Sequence, residues 1–166
     1  MKRIVLLSLA FVFAAGIVAA QAADKIGYVD LSRLFSEYGK TKDYDKVLND
    51  KETAYNAERE KKVNEVKQFQ EKFNLLSDKE KESKKGDLQS KIKTLQDFDR
   101  EKQMDLRKEQ DEKMKEILKD IEEAVKQYAS KEGYTLVLND RVLVYQDKSL
   151  DITDKIMEIL VKSYKK

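Results

Sequence analysis

The chain has no cysteine, histidine, proline or tryptophan, and only five glycines in 166 residues. Each absence removes something. Without cysteine or histidine there is no thiol nucleophile, no imidazole base and no zinc site of the usual nitrogen–sulfur kind. A histidine charge switch near neutral pH is excluded too, and so is any disulfide. Without proline, nothing in the chain forbids a helix from running on. What is abundant is charge: 34 Lys and Arg stand against 32 Asp and Glu, 40% of all residues, for a net charge of +2. Such a chain cannot spend most of its length lining one compact core. It need not be disordered either, because 40% of it is hydrophobic and many of those residues recur periodically. The length suits one domain, or a small domain carrying an extended element.

Residues 1–22 read as an address. Lys2 and Arg3 make a basic start, Ile4 to Phe13 an apolar run, Gly16 a break, and Ala20-Gln21-Ala22 a small-x-small cleavage site. An uncleaved anchor is the alternative, but Ile4 to Ala20 is marginal for a span of about 20 residues. Cleavage is expected after Ala22, with no cysteine following it to carry a lipid. The mature chain is then expected in the periplasm, without disulfides despite an oxidising compartment. Losing Lys2 and Arg3 leaves basic and acidic residues equal at 32 each. The slight basicity belonged to the address, and no nucleic-acid partner is expected.

Both ends of the mature chain look folded. Lys25 to Asp30 reads as a strand, and Asp30 can cap a helix with Leu31, Leu34, Phe35 and Tyr38 on one face, ended by Gly39. Near the other end, Thr135–Leu138 and Val142–Tyr145 read as two strands joined by an Asn139-Asp140 hairpin turn. Asp151 or Thr153 then caps a last helix bearing Ile152, Ile156, Ile159, Leu160 and Tyr164 on one side. Leu136-Val137-Leu138 and Val142-Leu143-Val144 are apolar on consecutive positions, so both faces of that hairpin call for burial. Short helices of the same chain can cover one face, and a second subunit is the natural cover for the other. Ile26, Tyr28, Val29, Leu136, Val137, Leu138, Val142 and Val144 are therefore the candidate oligomer-forming residues.

Between these ends, Lys40 to Lys131 has one glycine and the composition of long helix, and Gly133 stops it. Both ends must return to one small sheet, so the segment is expected to fold back as a hairpin. A turn around Glu82 would set Phe69 against Leu95 and Phe73 against Ile92. The sequence Ser77-Asp78-Lys79-Glu80, however, is a capping box that starts a helix. With the turn at Leu75–Ser77, Val66 faces Leu88, Tyr55 faces Phe98 and Leu48 faces Leu106. Phe69 then lies opposite Lys84 and Phe73 opposite Glu80, both without apolar mates. At the base, Ile117, Leu118, Ile121, Val125 and Tyr128 can pack on the short helices. The fold class is mainly α with a small β body. The expected organisation is a body of 23–40 and 115–166, with a helical arm of 41–114 and its tip near 75–78.

Ile26–Tyr38 (IGYVDLSRLFSEY), Gly133–Thr153 (GYTLVLNDRVLVYQDKSLDIT) and the charged arms between them resemble the Skp/OmpH family of periplasmic chaperones. The resemblance spans essentially the whole mature chain. It implies a homotrimer with a β-barrel-like trimerisation body from which helical hairpins project. It also implies ATP-independent holding of unfolded outer-membrane β-barrel proteins between the arms, and contact with lipopolysaccharide or anionic phospholipid.

Phe69, Phe73, Leu75 and Leu76 near the tip are candidates for holding unfolded segments; packing within the hairpin or between arms is the plainer reading of the same residues. Lys79, Lys81, Lys84 and Lys85 form a basic tip that can attract an anionic surface. Diluted by Glu80, Glu82 and Asp87, they also suit an ordinary solvated face with ion pairs three and four residues apart. Carboxylates are plentiful, but they lie on helical surfaces with no glycine-rich loop, so neither enzyme activity nor a cofactor is expected. A non-chaperone tethering protein of the cell envelope is the alternative to a holdase.

Overall fold

The computed structural model describes residues 24–165, so the expected signal segment and its cleavage site lie outside the described residues. The chain runs β1 (Lys25–Val29), α1 (Leu31–Glu37), α2 (Gly39–Asn74), α3 (Asp78–Glu132), β2 (Tyr134–Asn139) and α4 (Thr153–Tyr164). Mostly helical, it combines one strand pair with a long helical hairpin.

β1 and β2 pair in parallel, with Ile26 against Leu136 and Val29 against Asn139. Parallel neighbours need a long crossover, and here the crossover is α1 and the entire hairpin. Gly27 makes the pairing close: a β-carbon there would stand 2.9 Å from the Tyr134 ring. On the outer side of β1, the Ile152 amide donates to the Tyr28 carbonyl at 3.0 Å, so the lead-in to α4 occupies that edge.

The expected antiparallel hairpin does not form. The Asn139 side chain accepts from the Arg141 amide and starts a single 3-10 turn at Asp140–Val142. Val142–Tyr145 has no partner strand among the described residues, and Val142, Val144 and Tyr145 stand exposed. A run of apolar residues sets strand propensity but not a partner. β2 takes its partner from the chain's other end.

The core lies where the short elements meet the base of α3. Val29, Leu34, Tyr38, Ile117, Ile121, Ala124, Ile152, Ile156 and Leu160 are buried, with Leu31, Phe35, Val125, Tyr128 and Ile159 packed around them. These are the expected faces of α1, α3 and α4, except that Leu118 and Tyr164 are each 40% exposed. Asp30 caps α1 by accepting from the Arg33 amide at 2.8 Å. Gly39 does not end α1: Tyr38 is extended, and Gly39 is the first residue of α2. The buried Tyr38 ring anchors the break.

α2 spans 36 residues and α3 55, or about 54 and 82 Å. The turn between them is Leu75–Ser77, and Glu80 accepts from the Ser77 amide at 3.0 Å. Glu82 lies inside α3. Gly133, with φ 74°, ends α3 in the left-handed conformation that glycine adopts most easily.

Candidate functional site

The hairpin has sparse apolar contacts between its helices, joined by polar ties. At mid-arm the Tyr55 and Phe98 rings stand 5.8 Å apart, as expected from the Ser77 turn. The Tyr55 hydroxyl donates to Asp99 at 3.2 Å, Arg59 pairs with Asp99 at 3.1 Å, and Lys62 sits 4.9 Å over Phe98. Lower down, Lys51 pairs with Glu109 at 2.6 Å. Beside that pair the helices part into a groove of about 620 Å³, lined by Leu48, Tyr55 and Leu106 with Gln103, Arg107 and Gln110. Low apolar content leaves such gaps, since ion pairs bridge helices without filling the space between them.

Towards the tip Val66 lines a groove with Ser90, Lys91, Thr94 and Leu95. The Lys91 ammonium stands 5.6 Å from the Phe69 ring centre. Phe69, Phe73 and Leu76 are half-buried, while Leu75 is 87% exposed at the tip. Of the four lysines, Lys84 pairs with Asp87 at 3.0 Å and Lys81 is half-buried. Lys79 and Lys85 enter no ion pair among the described residues.

On the body, Ile26 and Leu136 are more than 40% exposed, Val142 is 68% exposed, and Val144 is fully exposed. Tyr28 and Val29 are buried within the chain, and Val137 and Leu138 are half-buried. An apolar cleft of about 200 Å³ runs between Ile26, Leu138, Leu143, Tyr145 and Leu150.

A polar cluster at the arm's root was not singled out from sequence. Lys40 lies 2.7 Å from Glu116 and 2.8 Å from Asp120, and Asp120 also accepts from the Tyr38 hydroxyl at 3.0 Å. Hydrogen bonds from Lys40 and Tyr44 hold the Glu116 carboxyl down to about 2. Burial, then Asp120, pushes the Tyr38 phenol up to about 12. Burial alone would lower the Lys40 ammonium, but Asp120 and Glu116 raise it above its usual value. The available signal was two carboxylates four residues apart on α3, flanking the inward-facing Ile117. Among the described residues no cluster of His, Cys, Asp or Glu side chains is spaced to hold a metal ion. No helix among them is long and apolar enough to cross a membrane.

Comparison with known proteins agrees with this architecture. Residues 25–160 match the family described as outer membrane protein (OmpH-like). The Chaperone protein Skp of Pectobacterium atrosepticum is 27% identical over 144 residues, covering 84% of this chain and 87% of its own length. The Chaperone protein Skp of Yersinia enterocolitica is 28% identical over 144 residues, covering 84% and 88%. The crystal structure of an OmpH-like protein from Caulobacter crescentus superposes with a TM-score of 0.76 over 86% of each chain, at 14% identity. A long helical hairpin on a small strand-bearing body, matched over nearly all its described length, places this chain in the OmpH-like family.

Proposed function

We propose that this chain is an ATP-independent periplasmic holdase, binding unfolded outer-membrane proteins between helical arms and delivering them for assembly. The observation that carries the reading is the hairpin itself. Two helices of 36 and 55 residues extend from a small core and are tied together by few apolar contacts and many exposed charges. Surfaces of this kind bind extended chains through many weak contacts, and several arms acting together multiply their effect. Supporting it are the family match and two relatives whose names state a chaperone role.

In this reading the body, with Val142, Val144, Leu136 and Ile26 presented outward, assembles three copies, and the expected signal segment delivers the chain to the periplasm. Phe69, Phe73, Leu75 and Leu76 contribute the apolar contacts near the tip. Lys79, Lys81, Lys84 and Lys85 meet acidic client segments, lipopolysaccharide or anionic phospholipid. The residues divide into a body of 23–40 and 115–166 and an arm of 41–114. The role calls for neither nucleotide nor cofactor.

The test is the light scattering of a urea-unfolded porin diluted into buffer without nucleotide. A severalfold excess of the chain over the porin should suppress aggregation. Unchanged scattering at that excess would leave only an envelope tether with no affinity for unfolded chains.

A further inference from the structure

One of the hairpin's two helices, α2, is joined to the body through a break, while α3 runs unbroken from the tip into the core. α1 stops at Glu37, Tyr38 is extended with φ −62° and ψ 127°, and α2 begins at Gly39. A long helix attached by one extended residue would swing unless its first turns are held elsewhere. They are held from two sides. On the α3 side, the Tyr38 hydroxyl and the Lys40 ammonium both donate to Asp120 Oδ2, at 3.0 and 2.8 Å, and Lys40 reaches Glu116 at 2.7 Å. Lys113 lies 3.5 Å from Glu116 and 4.3 Å above the Tyr44 ring. On the α4 side, Tyr164 packs edge-on against Tyr38 at 5.6 Å and donates its hydroxyl proton to Asp43. A β-carbon on Gly39 would lie 3.3 Å from the Tyr164 ring, so glycine allows that ring onto the α2 backbone. Past residue 44 this grip ends and the groove between Leu48 and Leu106 opens.

We infer that Lys40, shared between Glu116 and Asp120, is a positioning residue that locks the start of α2 onto the base of α3 and so fixes the direction in which α2 leaves α1. Its side chain is only 16% exposed, and Asp120 is 27% exposed. Apolar contacts tolerate sliding and repacking. An ammonium set between Glu116 and the part-buried Asp120 does not, because another rotation of α2 would leave Lys40 and Asp120 unpaired away from bulk water. The lock is a property of the chain's own geometry and stands whether or not the arms hold clients.

Because the chain has no cysteine, spin labels attach only where cysteines are placed. One labelled pair, Ser32→Cys with Glu60→Cys, spans the root from α1 to the arm. A second, Glu60→Cys with Ser83→Cys, lies wholly within the arm. Pulsed dipolar distances are measured on full-length mature protein diluted with unlabelled chain. Lys40→Met should broaden the root-spanning distribution at least twofold and leave the within-arm distribution unchanged. No broadening across the root overturns the inference. Broadening of both pairs overturns it as well, since Lys40 would then hold α2 against α3 along the whole arm and not at its root alone. Should Lys40→Met fail to fold, Glu116→Gln with Asp120→Asn removes the same lock, keeps the lysine stem, and is read by the same two criteria.

Discussion

Glu116 and Lys40 meet with opposite consequences for protonation, and their pH windows follow. The Glu116 carboxyl is held down from 4.5 to about 2, so its contribution to stability is complete above pH 4.5 and disappears as pH falls towards 2. Tyr38 is pushed up from 10.0 to about 12. Its neutral form is the stabilised one, and that contribution is lost only as pH rises from 10 towards 12. Lys40, raised above 10.5, contributes fully below that value and loses its effect only at higher pH. The root cluster is therefore unchanged between about pH 5 and pH 10. Glu116→Gln should lower the thermal midpoint by a constant amount across that range, and the gap from the parent chain should close between pH 4.5 and 2. A gap that changes between pH 6 and 9 would mean another group governs the cluster. None of this was legible beforehand. Lysine, glutamate and aspartate are the chain's commonest material, and only a contact between positions 80 residues apart singles out Lys40 and Asp120.

The elements announced themselves where the determinant was local. The capping box at Ser77–Glu80 marked the start of α3, Asp30 capped α1, and the left-handed Gly133 closed α3. The two glycines of the α3 region should answer substitution with opposite signs. Nothing lies within 4 Å of a β-carbon placed on Gly86, so Gly86→Ala gains helix propensity and should stabilise by about 0.5–1 kcal/mol. At Gly133 the left-handed backbone makes Gly133→Ala cost about 1–2 kcal/mol. Urea midpoints at one fixed protein concentration measure both, so that any self-association weighs equally on each comparison. Equal signs would contradict the backbone assignment at one of the two positions. The strands were the harder element. Val142–Tyr145 has strand composition but no partner strand among the described residues, because β2 pairs with β1, brought alongside by the hairpin's return. Pairing of that kind is set by topology, not by the local run.

The whole molecule explains its own composition. Buried apolar side chains collect in a body built from both ends of the described chain, while the charged middle stays in solvent as two long helices. A chain so polar needs no large core because most of its length never enters one. The body also leaves apolar side chains uncovered, and Val144 is fully exposed among the described residues. Val144→Asp should therefore leave helical content unaltered while shifting sedimentation velocity from an oligomer towards the single chain. Loss of helix would instead place Val144 in the chain's own core. Sedimentation of this chain with a urea-unfolded porin, diluted together without nucleotide, decides whether it is a holdase. A holdase gives a soluble species heavier than the chaperone alone and containing both proteins. A porin that pellets by itself, leaving the chaperone's sedimentation unchanged, would contradict that role.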